Sequence, residues 1–298
     1  MTTVTANQML QKGLELYGVG LRRQRRSCRA SNIRRFKKIY GSTPKVYVAI
    51  FHDLQTTDVK KARVDSADIC LDSFLMAMNF LKLYETETVR ATIFDICENT
   101  ARKWTWFYVK KIQALKKEKI IWPKEWNRAA HDAPIFIISV DGVHCRVREP
   151  KHPLCSKNKE HYSHKFKQAG LTYELALSVY LNRLVWMRGP GKASKHDITV
   201  FREKLLKKIP PGKRAIGDKG CRGEKEKVST PNRHDSPELR KFKSRARSRQ
   251  EAFNSRIKSF GCLSETFRHG VKKHRRCFEA VCVIAQCQLE FGSPLFDV

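Results

Sequence analysis

The chain has 298 residues, with 60 Lys or Arg against 29 Asp or Glu, and a formal net charge of +31 at pH 7. Basic side chains gain free energy by displacing counterions from a polyanion, so we expect a nucleic-acid partner and disfavour a glycosidase acting on a neutral sugar. No apolar stretch approaches the ~20 residues of a spanning helix, and the first residues lack the regions of a signal peptide, so we expect a soluble intracellular protein without a membrane partner.

The strongest local concentration of charge lies near the N-terminus. Residues 22–38 contain nine Lys or Arg and no acid. Such a run suits a nuclear import signal or an arm lying on phosphates, and a solvated basic helix or tail explains it equally well. We predict a basic N-terminal arm over residues 1–45.

Helical spacing dominates the next region. The apolar residues from Leu71 to Leu83 recur at helical intervals, which predicts a helix with one apolar face. Thr86 is a candidate N-cap for a short helix reaching Phe94, and a turn at residues 95–97 leads to a second helix whose cap we place at Glu98-Asn99-Thr100. Two helices joined by a short turn are typical of a helix-turn-helix, so we predict a helical DNA-binding domain over residues 46–126.

The start of the second helix supplies the candidate DNA contacts. Thr100, Arg102 and Lys103 would face phosphates or base edges if this helix enters a groove. The alternative is an ordinary helical bundle with a charged face.

After residue 134 the pattern changes to strands. Two β-rich runs flank Asp141-Gly142, which predicts two strands turning near Gly142, and residues 171–187 predict a hairpin turning at 182–183. A helix from Ser194 or Asp197, a short buried strand at residues 215–217 and a helix over residues 237–260 follow. We therefore predict a mixed α/β domain over residues 135–291.

Three acids in this domain have the placement of a nuclease site. Asp141 and Asp218 follow predicted strands, and Glu251 lies on the later helix. Cleavage of a phosphodiester requires charge neutralisation on the attacking and leaving oxygens, which two carboxylate-bound divalent ions supply. Singly, each aspartate could be a turn residue and Glu251 part of a solvated face. Asp197 is a weaker, secondary candidate, because an Asp at a helix start is favoured as an N-cap.

Four segments of this domain resemble the catalytic domain of Harbinger/PIF-type DDE transposases. They are Ser139–His144, Gly189–Asp197, Gly217–Gly220 and Arg249–Phe260. The resemblance covers residues 135–270, and the preceding helical region is similar to the DNA-binding part common in that group.

The resemblance implies an RNase H-like fold, a mixed sheet flanked by helices, with Asp141, Asp218 and Glu251 as the catalytic and metal-binding triad. It implies Mg²⁺ or Mn²⁺, expected as two ions, hydrolysis at transposon ends, and attack of the freed 3′ hydroxyl on target DNA. Asn254 and Lys258 follow Glu251 by one and two helical turns, so we expect them to touch substrate phosphate.

The same resemblance sets the expected partners. These are double-stranded DNA, a Myb-like DNA-binding protein and, as a further candidate, a second copy of the chain, all in the nucleus. The alternative function is a domesticated, catalytically silent DNA-binding protein.

Overall fold

The computed structural model describes residues 4–19, 28–60, 69–127, 135–148 and 159–298. They form two compact units. The helical unit contains the described residues up to Lys119 together with Ile257–Glu265 and Lys272–Ser293. The sheet unit contains the described residues of Ile120–Arg256, Thr266–Val271 and Pro294–Val298. The two units do not coincide with the predicted ranges 1–45, 46–126 and 135–291, which as functional domains stay predictions.

The helical unit is built from amphipathic helices around an aromatic core. Its helices are α1 (Ala6–Leu16), α2 (Arg29–Tyr40), α3 (Pro44–Lys60), α4 (Leu71–Leu83), α5 (Glu87–Ile93), α6 (Glu98–Ala114), α7 (Lys116–Lys119), α11 (Gly261–Ser264) and most of α12 (Val271–Phe291). Phe36, Tyr47, Phe74 and Tyr108 are fully buried in it. The predicted helix α4 is confirmed, but its single apolar face is not, because the eight consecutive residues 74–81 are buried and more than two turns are therefore covered on every side.

Part of the predicted basic arm is a packed helix. Phe36 and Tyr40 of α2 are fully buried, and Gly41 ends the helix in the left-handed region at φ 94°. Arg22, Arg23, Arg25 and Arg26 lie outside the described residues. The nuclear import signal stays a prediction.

The predicted helix pair is present, with one cap corrected. Thr86 caps α5 and accepts a hydrogen bond from the Val89 backbone at 3.3 Å, as predicted. The cap of α6 is Cys97 rather than Glu98, Asn99 or Thr100, because the chain becomes helical one residue earlier than the polar run suggests. DNA recognition by this pair stays a prediction.

The sheet unit contains one mixed sheet with helices on its faces. Its strands are β1 (Phe136–Arg146), β2 (Tyr162–Ser163), β3 (Gln168–Ser178), β4 (Leu184–Lys192), β5 (Arg214–Ile216) and β6 (Val228–Ser229). Its helices are α8 (Asp197–Glu203), α9 (Leu205–Lys208) and α10 (Pro237–Lys258), the last belonging to this unit as far as Arg256.

The strand order of the sheet is β4, β3, β1, β5, β6, with β2 also pairing with β3. The pairs of β3 with β1 and with β4 are antiparallel, whereas β5 runs parallel to both β1 and β6. This mixed sheet is compatible with an RNase H-like endonuclease fold. The predicted hairpin between β3 and β4, the short strand β5 and the helix α10 are confirmed.

The predicted turn at Gly142 is wrong. Asp141 and Gly142 pair with Leu175 and Glu174 of β3 in an unbroken antiparallel ladder, so β1 is one strand of 11 residues. Asp-Gly often signals a hairpin, but here the long apolar neighbour β3 provides pairing on both sides of Gly142. Asp141 therefore lies within a strand and not at its end.

Each face of the sheet has its own apolar core. On one face Ile138, Val140 and Ala215 pack with Phe201 and Leu205 of α8 and α9. On the other face Val179 and Ile216 pack with Ala246 of α10. The cysteines among the described residues are free thiols. None of the helices in the described part of the chain is long and apolar enough to cross a membrane.

Candidate active site

Strand register places Asp141 beside Asp218. In the parallel pair, Ser139 of β1 is opposite Ile216, the last residue of β5. Asp141 and Asp218 each follow those partners by two residues, and β1 continues where β5 has ended. Because both strands run in the same direction and side chains alternate with a period of two, the two carboxylates come out at the same level of the sheet.

A third carboxylate joins them from α8. Asp197 Oδ1 lies 2.6 Å from the position that a Cβ on Gly142 would occupy. Asp197 Oδ2 and Asp218 Oδ1 each lie 3.0 Å from the corresponding Cβ position on Gly220, so these two oxygens are separated by at most twice that distance. We call Asp141, Asp197 and Asp218 the acidic site.

Asp197 is not the N-cap that was predicted. His196 is the cap of α8, and Asp197 is the first residue inside the helix. Its carboxylate is therefore not used to close the helix end and is directed to the acidic site. Asp218, in contrast, does cap a short 3₁₀ helix, Lys219–Cys221, and accepts a hydrogen bond from the Gly220 backbone at 2.8 Å.

Asp141 is held by hydrogen bonds on both of its carboxylate oxygens. The backbone N–H of Gly142 donates to Oδ1 at 2.8 Å, and Asn254 Nδ2 donates to Oδ2 at 2.7 Å. Gln250, one turn before Asn254, accepts from Ser139 Oγ at 2.9 Å. These contacts fix α10 to β1 and orient the Asp141 carboxylate.

The carboxylates of the acidic site destabilise one another's charges. Burial raises the pKa of Asp141 to about 6, the Gly142 N–H opposes this rise, and the charges of Asp218 and Asp197 add to it. Burial and the charge of Asp218 also raise the pKa of Asp197, while Lys165 and His196 oppose the rise. Carboxylates gathered with this little compensation are typical of functional sites.

Glu251 is not part of this group. It is exposed on α10, one residue after Gln250 and three residues before Asn254. The three-residue spacing places it on the same side of the helix as Asn254, one turn away from the contact with Asp141. Its role as the third acid of the triad stays a prediction. Within the described residues, no group of three or more His, Cys, Asp or Glu side chains is placed to hold one metal ion.

A cavity of about 330 Å³ is lined by two acids of the acidic site, Asp197 and Asp218, and by Gly142, the neighbour of Asp141. Asp197 and Asp218 are on one side, and basic side chains of two loops form other walls: His164, Lys165, Lys195 and His196. His144 of β1 stacks on Phe166 with ring centroids 4.5 Å apart and also lines the cavity. His164 and Lys165 come from the turn between β2 and β3.

Glu174 is a residue that the sequence reasoning missed. It is 4% exposed, lies opposite Gly142 in the β1–β3 ladder, and accepts a hydrogen bond from Trp186 Nε1 at 2.8 Å. Burial raises its pKa to about 7, against the Trp186 hydrogen bond and the charge of Arg188, and Asp197 adds to the rise. The available signal was a lone acid within the apolar run of β3.

The other predicted DNA contacts lie elsewhere. Arg102 is paired with Glu87 at 2.6 Å, and Thr100 contacts Cys97 Sγ at 3.0 Å. Lys103 is exposed, with its ammonium 4.9 Å from the Trp104 ring centroid. Lys258 donates to the Leu263 carbonyl at 3.1 Å. DNA binding by these residues stays a prediction.

Residues 140–286 match the family model of the DDE superfamily endonucleases. The matched segment contains the whole acidic site and Glu251. The match supports a DDE transposase-type nuclease domain in this part of the chain. No curated protein and no solved structure matches the chain significantly.

Proposed function

We propose that this protein is a metal-dependent DNA endonuclease of the transposase type, which hydrolyses phosphodiester bonds at transposon ends and performs strand transfer. The observation that carries the proposal is that strand register brings Asp141 level with Asp218, and that α8 brings Asp197 next to Asp218, where β5 ends. All three lie inside the segment that matches the endonuclease family.

The acidic site has the chemistry of a divalent-metal site. Its donors are carboxylate oxygens, which Mg²⁺ and Mn²⁺ prefer, and Mg²⁺ needs few protein ligands because it keeps several waters. Burial raises the pKa values of Asp141 and Asp197, and the charges of neighbouring aspartates add to the rise. A bound cation would offset both effects. Asp141, Asp197 and Asp218 would share the two ions, and we propose Glu251 as a further ligand from α10.

When bound, divalent ions neutralise charge on the attacking and leaving oxygens of the phosphodiester. The surrounding residues have separate tasks. Asn254 and the Gly142 N–H hold the Asp141 carboxylate in one orientation. Lys165 and His164, in the wall of the cavity, attract the scissile phosphate and place it over the acids. The net charge of +31 brings the polyanion to the protein.

The finer parts of the proposal rest on the sequence motifs. These finer parts are the Harbinger/PIF type, double-stranded DNA as the substrate and Mg²⁺ or Mn²⁺ as the ion. The proposed partners are a Myb-like DNA-binding protein and a second copy of the chain, and the proposed location is the nucleus. Arg102, Lys103 and Thr100 on α6, and Lys258 on α10, remain the proposed DNA contacts outside the cavity.

A silent DNA-binding protein is the second candidate function. The observation that favours it is the exposed position of Glu251, together with the lack, in the described part of the chain, of three acids grouped around one metal position. This candidate retains the basic surface and predicts binding without cutting.

Nicking of supercoiled DNA that carries the sequences flanking the gene separates the two functions. We expect nicking in Mg²⁺ or Mn²⁺, and its loss in Asp141→Ala, Asp197→Ala and Asp218→Ala, while DNA binding in EDTA survives. Glu251→Ala tests the ligand proposed from α10. Glu238→Gln, an exposed acid at the start of α10, is the matched control and should cut normally.

Two results would count against the endonuclease. Unchanged nicking by Asp141→Ala or Asp218→Ala would remove the acidic site from the reaction. Tight DNA binding by the unaltered protein, without nicking in either metal, would favour the silent DNA-binding protein.

A further inference from the structure

A second cavity of the sheet unit, of about 710 Å³, lies along the edge strand β6. We call it the edge groove. Its lining includes six basic side chains and one acid; the basic residues are Arg214, Lys219, Arg222, Lys225, Arg233 and Lys243. From this lining we propose that the edge groove binds the backbone phosphates of the DNA next to the phosphodiester that is cut. The inference rests on the proposed function for its substrate.

The positive charge of the edge groove is not neutralised by acidic residues of its own lining. Its one acid, Asp235, is neutralised by Lys243, whose ammonium lies 2.9 Å from both carboxylate oxygens. Arg214 is used structurally, because it donates to the Lys225 carbonyl at 2.6 Å and covers the Phe136 ring. Lys219, Arg222 and Lys225 are exposed and make no ion pair within the described residues. These three cations are available to an anion.

The edge groove begins one residue away from the acidic site. Lys219, which lines the groove, follows Asp218 directly, and the segment around Asp218 also lines the first cavity. Neighbouring phosphates along one DNA strand are separated by about 3.4 Å of helix rise, so a strand with one phosphate over Asp218 has others within reach of the groove. The groove therefore fits the same DNA molecule and not a separate ligand.

The lining also indicates what the groove does not recognise. Among the described residues, no Phe, Tyr, Trp or His lines it on which a base could stack, and such stacking is the usual means of binding unpaired bases. Its one amide side chain, Asn232, already accepts a hydrogen bond from the His234 backbone at 3.1 Å. The groove thus binds phosphate irrespective of sequence, and base recognition belongs to another part of the protein.

The test compares two double variants that remove equal charge. The double variant Arg222→Ala, Lys225→Ala removes two exposed positive charges from the lining of the edge groove. The double variant Lys204→Ala, Lys207→Ala removes two exposed cations that do not line the groove, one between α8 and α9 and one in α9. Binding of two short labelled duplexes of unrelated sequence is measured in EDTA between about 50 and 200 mM salt, the range over which phosphate contacts dominate affinity.

For the groove variant we expect roughly tenfold weaker binding of both duplexes, and a salt slope smaller by about two. The control should bind nearly as well as the unaltered protein. Equal loss in both variants, no loss in either, or a loss restricted to one duplex would overturn the proposal. Because binding is measured without metal, the result is independent of nicking, so failure of the endonuclease proposal is seen separately.

Discussion

The two units of the protein treat a buried acid in opposite ways. In the helical unit, Glu279 of α12 accepts hydrogen bonds from Lys116 and Gln113 at 2.6 Å and from Arg275 at 2.9 Å. Burial alone would raise the pKa of Glu279, but these three donors outweigh it and the pKa is lowered. In the sheet unit, Glu174 has one neutral donor, Trp186, and its pKa is raised to about 7.

The difference shows where the protein accepts a cost in stability. A buried charge that is fully paired helps to hold the helices of its unit together. Buried carboxylates that repel one another lower the stability of the folded state, and folded proteins retain such groups mainly where function requires them. In the sheet unit, the charge of Asp197 raises the pKa of buried Glu174 and also that of half-buried Asp141.

The largest expected effect breaks the close packing of the acids. Gly142→Ala would place a Cβ 2.6 Å from Asp197 Oδ1 and push that carboxylate away from the acidic site. A shift of about 1 Å in a reacting group can lower a rate by about 100-fold, so we expect a loss of nicking of this order. Gly270→Ala, where a Cβ meets nothing within 4 Å, is the control. Normal nicking by Gly142→Ala would show that Asp197 is dispensable.

Glu174→Gln should stabilise the sheet unit at neutral pH, because it removes a buried charge that has no charged hydrogen-bond donor. The folded protein binds the Glu174 proton more tightly than the unfolded chain, so the free energy of unfolding is undiminished below pH 4.5 and falls as the pH rises to about 7. The amide carries no charge, so we expect stabilisation by up to about 3 kcal/mol above pH 7 and none below pH 4.5. Denaturant melts at several pH values measure this, with exposed Glu226→Gln as control. A loss of stability at pH 8 would contradict the assignment.

Glu279→Gln tests the other side of the comparison, with the opposite sign. Its loss of charge-assisted hydrogen bonds should lower the free energy of unfolding at pH 7 by about 2 kcal/mol. Because the pKa of Glu279 is lowered in the folded state, the stabilisation is present above its ordinary pKa and disappears as the pH falls through the lowered value. The variant and the parent should therefore converge in acid. A constant difference at all pH values would point to packing instead of charge.

The smallest effect on stability is expected at the start of α6. Arg102 is exposed and its pairing with Glu87 is screened by water, so Arg102→Ala should leave the melting temperature almost unchanged. If α6 contacts DNA, the same variant weakens binding and reduces the salt slope by about one. Lys117→Ala, an exposed cation of α7, is the comparison. Equal DNA binding by both variants would remove Arg102 from the interface.

Local patterns in the sequence predicted much of the fold. The helix α4 and the hairpin of β3 and β4 could be predicted because apolar residues at helical spacing indicate a helix, and apolar residues at alternating spacing indicate a strand. Asp141 and Asp218 were identifiable because each directly follows a β-rich run. The Asp-Gly pair misled the prediction of a turn, because pairing with β3 is a long-range property that two residues do not encode.

The rest of the site depends on contacts between distant segments. Asp197 resembled a helix cap, and its approach to Gly142 and Gly220 follows from how α8 is placed against the sheet. Asn254 was expected to meet phosphate, whereas it donates to Asp141 across more than a hundred residues of sequence. No local spacing carries this information.

The pairing of Ser139 with Ile216 determines which insertions and deletions the sheet unit can accept during evolution. The distance between Asp141 and Asp218 is fixed because each acid follows a paired strand residue by two positions. Loops between β4 and β5 can therefore lengthen, shorten or diverge without separating the acids. A slip of β5 by one residue would instead turn Asp218 toward the opposite face. Insertions in those loops are thus tolerated, whereas an insertion between either strand and its acid would separate Asp141 from Asp218.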